Sequence, residues 1–131
     1  MTTENRAALT CILCPRGCAL TVTRGDGGFT VEGSGCRLGS DYAIKERTNP
    51  ERTVTTTVKT SIPDHPRLAV RTSGEIPLAR IFAVMREVNR VVVSHRAGPG
   101  EVILRDVLGL GIDVISTDDM RRYDHEKEDT P

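Results

Sequence analysis

Four cysteines, all within the first 36 residues of a 131-residue chain, constrain this fold more than any other feature. Cys11, Cys14 and Cys18 have the spacing C-x2-C-x3-C, and Cys36 follows after an intervening segment. Three cysteines so close together predict a tight loop, and the Pro-Arg-Gly sequence between the second and third allows the backbone to bend. We therefore expect the four side chains to act together at one site.

This spacing favours an iron–sulfur cluster. A [4Fe–4S] cluster takes four thiolates, and a short loop that supplies three of them, with a distant residue supplying the fourth, is a common arrangement. Structural zinc sites more often take their ligands as two pairs on separate knuckles. The spacing thus predicts a [4Fe–4S] cluster on Cys11, Cys14, Cys18 and Cys36, with zinc as the alternative metal. Disulfides, or a redox-active thiol pair of Cys11 and Cys14, are further alternatives.

The compartment expected from the sequence is the cytoplasm. The first ten residues contain no apolar run of signal-peptide length, and no stretch approaches the length of a membrane span. Thiols stay reduced in the cytosol, where clustered cysteines indicate metal binding or redox chemistry before structural disulfides. We expect no membrane insertion.

Charge and composition argue against nucleic acid as a partner. The chain has 18 Lys and Arg against 18 Asp and Glu, and aromatic residues make up only 3%. It therefore lacks both the broad basic surface that binds duplexes and the aromatic side chains that stack on bases. Hydrophobic residues, at 37%, predict a modest core of the kind that a metal often stabilises.

The predicted fold class is α+β, with a small N-terminal cysteine-rich metal-binding lobe followed by a compact α+β lobe. The predicted boundaries are 1–61 for the cysteine-rich region, 62–117 for the second lobe and 118–131 for a charged tail that we expect to be disordered. Two prolines between residues 62 and 67 favour an extended joint there.

In the first region, alternating residues at 19–23 and 29–32 flank a Gly- and Asp-rich turn and predict a β-hairpin. A short helix is expected at 40–47, followed by a strand at 54–60. Beyond the joint, the pattern predicts the order strand, helix, strand, strand, strand. The core face of the one main amphipathic helix is predicted from apolar residues at helical spacing: Leu78, Ile81, Phe82, Met85 and Val88.

The residues resemble two known groups. The segment C-x2-C-P-x-G-C, with the hairpin and the fourth cysteine, is similar to the N-terminal iron–sulfur segment of molybdopterin oxidoreductases, over residues 11–39. A longer resemblance is to the uncharacterised family called "domain of unknown function 1667". It rests on the cysteine segment, Tyr42-Ala43, Glu46, residues 50–58 and the late segment 109–114. Leu38 stands where both groups tend to have a basic residue.

The second resemblance implies a metalloprotein with four cysteines that accompanies FAD-dependent dehydrogenases of the glycerol-3-phosphate type. It therefore implies a cluster-bearing electron-transfer partner of a flavoprotein, more an accessory subunit than a catalytic one. It identifies no reaction for this chain.

Other chemistry-bearing residues lack a partner at a useful spacing. His65, His95 and His125 are separated from one another and from the cysteines, so each is expected to have a structural role. Gly109-Leu110-Gly111 matches no phosphate-binding loop and predicts a turn between strands.

Overall fold

The computed structural model describes residues 5–122 and shows a mixed α+β protein. The α+β class is therefore confirmed. The chain forms two compact units, Met1–Pro50 and Glu51–Pro131, whereas the sequence places the boundary between residues 61 and 62. Neither α-helix in the described part of the chain has the length and apolar character needed to span a membrane. The predicted disordered tail lies largely outside the described residues.

The first unit is built on a three-stranded antiparallel sheet with the order β1-β2-β3. Its elements are β1 (Arg6–Thr10), β2 (Ala19–Gly25), β3 (Gly28–Glu32) and α1 (Arg37–Thr48). The predicted hairpin is confirmed, with Val22 opposite Val31 and a two-residue turn. Strand β1 was not predicted, and it pairs along its whole length with β2.

Helix α1 packs its small residues against β2 and β3. Gly39 and Ala43 are its buried residues. It begins three residues before the predicted Ser40, directly after Cys36. The buried core of this unit is small: Cys11, Leu20, Val22 and Ala43.

The second unit contains a five-stranded sheet with the order β8-β5-β6-β10-β9 and a two-stranded sheet of β4 and β7. Its elements are β4 (Glu51–Arg52), β5 (Thr55–Thr60), β6 (Arg67–Thr72), β7 (Ile76–Pro77), α2 (Ile81–Asn89), β8 (Val92–Val93), β9 (Val102–Leu104) and β10 (Val114–Ser116). The β5–β8 pair is parallel and the others in the large sheet are antiparallel. Strand β5 belongs to the second unit because it pairs with β6. The boundary therefore falls before β5, at residue 50, and not at residue 61.

The core of this unit lies between one face of the large sheet and α2. Val58, Leu68 and Val70 are buried on the sheet, and Val84 and Val88 are buried on the helix. The cluster they form also includes residues from the loops and the short strands.

The predicted core face of this helix is wrong in part. Phe82 is 79% exposed and Leu78 is 43% exposed, whereas Val84, which was not predicted, is fully buried. The buried face of the helix is rotated away from the predicted one. Ile81, Val84 and Val88 are spaced by three and four residues and face the sheet. Pro77, predicted in the first helical turn, instead lies in β7 and pairs with Glu51.

Candidate metal centre

The loop that carries three of the cysteines connects β1 to β2. The last pair of these strands is Thr10 with Ala19, so residues 11–18 form the connection. The backbone N–H of Cys11 donates a hydrogen bond of 2.8 Å to the carbonyl oxygen of Cys18, which closes the base of the loop. Cys14 lies within it. All three cysteines are therefore at one end of the three-stranded sheet.

Strand β3 returns the chain to the same end. Its last residue, Glu32, lies opposite Thr21 near the start of β2. The next residue, Gly33, has a left-handed φ of +86°, and a Cβ atom there would lie 2.1 Å from the carbonyl oxygen of Ala19. Only glycine permits such a close approach of the two backbones. This passage brings Cys36, three residues further on, beside the cysteine loop.

Two glycines bring the backbone around Cys36 against the sulfur atoms of the loop. A Cβ atom on Gly35 would lie 3.7 Å from Cys18 Sγ, and one on Gly39 would lie 3.6 Å from Cys11 Sγ. The segment that bears Cys36 thus passes close to the sulfur atoms of Cys11 and Cys18, with no room for more than a small side chain between them. The backbone segments that carry the four cysteines therefore lie at the same end of the sheet, and their grouping as ligands stays a prediction.

The four side chains themselves are not gathered into one closed group. All four are free thiols; Cys11 is buried, Cys18 is intermediate, and Cys14 and Cys36 are exposed. Among residues 5–122, no three His, Cys, Asp or Glu side chains form a group that could hold a metal ion. The donor chemistry suits a thiolate-bound metal, and the sulfur positions would have to change to enclose one.

The surroundings of this end favour negative charge. Cys36 is the residue before the first turn of α1, with extended backbone at φ −157° and ψ 166°. Its N–H donates a 3.4 Å hydrogen bond to Ser34 Oγ, and that first turn has no acidic residue. The unpaired N–H groups at a helix N-terminus stabilise anions. Arg16 adds a positive charge, since its Nη1 would lie 3.4 Å from a Cβ atom on Gly35.

Apolar side chains around the cysteines face solvent. Ile12 is 73% exposed, Leu13 is 52% exposed, and Leu38, in the first turn of α1, is 65% exposed. Sequence reasoning missed this feature. The signal was the Cys-Ile-Leu-Cys segment itself, because a short loop whose ends are closed has little room to bury two large side chains.

His65 and His95 lie away from the cysteines in sequence, and each contacts a carboxylate. His65 Nε2 is 2.9 Å from Asp118 Oδ2, and His95 contacts Glu101. The Gly98 backbone N–H and His95 lower the pKa of Glu101 from its ordinary value. His125 lies outside the described residues. Gly109 and Gly111 have left-handed φ angles in a turn, as predicted.

None of the curated proteins matches the chain. A solved structure that is similar is the NMR structure of the Clostridium perfringens protein CPE0013, a structural genomics target, with 16% identity over 53% of this chain and 82% of that one and a TM-score of 0.49.

The family comparison concerns the part of the chain that follows the cysteines. The family model described as protein of unknown function (DUF1667) matches residues 37–118, more than half of the chain. The match begins directly after Cys36, so the resemblance of the cysteine segment to molybdopterin oxidoreductases stays a prediction. The chain belongs to the DUF1667 family of proteins of unknown function.

Proposed function

We propose that this protein binds a [4Fe–4S] cluster through Cys11, Cys14, Cys18 and Cys36 and transfers single electrons as an accessory to a flavin-dependent dehydrogenase. The observation that carries the proposal is the position of four free cysteines at one end of the three-stranded sheet. Four thiolates are the ligand set of such a cluster. The dehydrogenase partner rests on the family resemblance alone.

Binding would need movement of side chains more than of backbone. Cys11 and Cys18 lie close to the segment that bears Cys36, and Cys14 and Cys36 are exposed. Exposed side chains change rotamer within nanoseconds and without a packing cost. We therefore expect the two exposed thiols to turn toward the two that are less exposed when the metal is bound.

The chain's own residues would tune the site. When bound, the cluster supplies reversible one-electron chemistry, with a potential set by hydrogen bonds, burial and nearby charge. The first-turn N–H groups of α1 and the guanidinium of Arg16 both favour negative charge at this end. Stronger stabilisation of the more negative, reduced form raises the potential. Substitution of Arg16 by glutamine should therefore lower it.

A zinc-stabilised module without redox activity is the second candidate function. The observation that favours it is the small core of the first unit, which has only four buried apolar or cysteine residues in its described part. A structural metal contributes folding free energy directly to such a unit. This role would require the same cysteines but no electron transfer.

Anaerobic purification with measurement of iron, sulfide and zinc tests the proposal. We expect about four irons and four sulfides per chain, with a visible chromophore that dithionite reduces to an EPR-active state. Cys36→Ser should lose most of the iron, whereas Ser61→Ala, an exposed change in the second unit, should retain it. A colourless protein with one tightly bound zinc would instead support the second candidate. A folded, metal-free protein with reversible dithiol oxidation would contradict both.

A further inference from the structure

We propose that the exposed side chains around the cysteines form a docking surface for a redox protein whose own surface is apolar and rimmed with carboxylates. This cysteine-end patch consists of Ile12, Leu13, Arg16, Arg37 and Leu38. The inference rests on the proposed function, since it describes the partner surface at the same site.

The apolar part of the patch is continuous with the cysteines. Ile12 and Leu13 lie between Cys11 and Cys14, and Leu38 precedes Gly39, which lies near Cys11 Sγ. Each of these three side chains is more than half exposed, although apolar surface of this size is favourable to bury. A partner that covers the patch would therefore approach the thiols closely, and electron transfer requires such an approach.

The patch contains two arginines, and one acidic side chain, Asp41, lies beside them. Neither residues 11–18 nor residues 33–40 contain an acidic residue, and each segment contains one arginine. The Arg37 side chain is 93% exposed, and because its ion pair with Asp41, at 3.9 Å, is long and exposed, the guanidinium stays open to a further carboxylate. Arg16 lies beside Gly35. The patch therefore combines apolar contact with positive charge.

This combination selects one occupant among three. A second copy of the chain would bring the arginines of two patches together, and like charges across an interface are unfavourable. Each basic residue near an anionic membrane surface contributes only about 1 kcal/mol to the binding free energy. Two arginines and three apolar side chains would therefore give weak adsorption. A protein with carboxylates around an apolar centre satisfies both parts of the patch and is steered to it electrostatically.

The test uses the anaerobically purified protein and, as a probe, a flavodoxin with a carboxylate-rich surface around its exposed flavin edge. Binding is followed by calorimetric titration at low and physiological salt. We expect L13S/L38S to weaken the Kd at least tenfold and R16Q/R37Q to abolish most of the salt dependence. The control is Phe82→Ser, which removes a still more exposed apolar side chain from the second unit and should leave the Kd unchanged.

An unchanged Kd in L13S/L38S would overturn the docking surface, as would adsorption of the protein to phosphatidylserine vesicles with no flavodoxin binding. So would a concentration-dependent dimer that the same double variant abolishes. Iron analysis and circular dichroism of every sample separate the two proposals. Patch-dependent flavodoxin binding by protein that never takes up iron would refute the cluster and retain the surface. Full iron content together with a flavodoxin affinity that does not depend on the patch would retain the cluster and refute the docking surface.

Discussion

The two compact units differ in how much apolar surface each buries. In Glu51–Pro131 the described core contains eleven buried side chains, packed between a five-stranded sheet and α2. In Met1–Pro50 the described core contains four, and one of them is Cys11. Small domains whose cores supply little free energy usually depend on a metal or a disulfide. The cysteines therefore lie in the unit that gains most from a bound metal.

This difference also separates what each unit contributes. In the second unit, the described residues form a larger buried core, and His65 and His95 contact carboxylates within the unit. In the first unit, the backbone is arranged by hairpin register and glycine contacts while reactive thiols and apolar side chains remain exposed. The first unit thus has the features of a site, and the second has the features of a scaffold.

The largest expected effect is that of Gly33→Ala, which should destabilise the first unit and leave the second unchanged. The added Cβ atom would lie 2.1 Å from the Ala19 carbonyl oxygen, at a φ of +86°. We expect a loss of about 3 kcal/mol or more in the stability of this unit, since strain and overpacking add. Amide hydrogen exchange should show lost protection in β1 to β3, with β5, β6 and β10 unchanged.

The matched control for this change is Gly27→Ala in the hairpin turn. A Cβ atom at that position has no neighbour within 4 Å, so protection should stay within error of the parent protein. Equal loss of protection in both units of Gly33→Ala would show that they unfold as one and would remove the basis of the comparison.

An intermediate effect is expected from Val84→Ala in the second unit. Val84 is fully buried in the core between α2 and the sheet. Removing two buried methyl groups should lower the free energy of unfolding by about 1 to 3 kcal/mol. Phe82→Ala, two residues earlier and 79% exposed, should change it by less than about 0.5 kcal/mol. Urea denaturation of both variants measures the contrast, and a larger effect for Phe82 would show that the helix faces the sheet as the sequence pattern predicts.

The smallest effect is a dependence on pH that belongs to the second unit. The Gly98 N–H, at 2.9 Å, and His95 lower the pKa of Glu101. A lowered pKa in the folded state adds stability above the unfolded pKa of about 4.3, and this stability is lost as the pH falls through the folded value.

Glu101→Gln should therefore be less stable than the parent protein at pH 5, with the difference shrinking toward pH 2. Thermal unfolding across that range measures it. A difference that stays constant with pH would assign the effect to hydrogen bonding alone. Amide protection in β1 to β3 should be the same in both proteins at each pH.

The sequence predicted the secondary structure correctly where the local residue pattern and the tertiary contacts favour the same element. The β2–β3 hairpin follows from alternation around a Gly-rich turn, strand β5 from β-branched residues, and strand β6 from alternating residues. Strand β1 was missed because two of its five residues are alanines, which have low strand propensity. It forms because β2 offers it a complete edge to pair with.

Tertiary contacts determine which face of α2 meets the sheet and where the cysteine side chains point. The apolar stripe of α2 is wide enough to include Phe82, so periodicity alone could not decide which side meets the sheet. The cysteine spacing indicated one site, and the backbone register brings the four segments together. The exposure of Cys14 and Cys36 depends on side-chain rotamers, which spacing does not determine.

The register of the large sheet has a consequence for the order in which the chain folds during synthesis. Strand β6 pairs on one side with β5, only a few residues away, but on the other with β10, where Val70 lies opposite Ser116. This sheet cannot be completed until residue 116 has left the ribosome. All strand pairs of the first unit join neighbouring segments within residues 6–32, and such local pairings form fast. We expect the strands that carry the cysteine loop to pair while the second unit is still being translated.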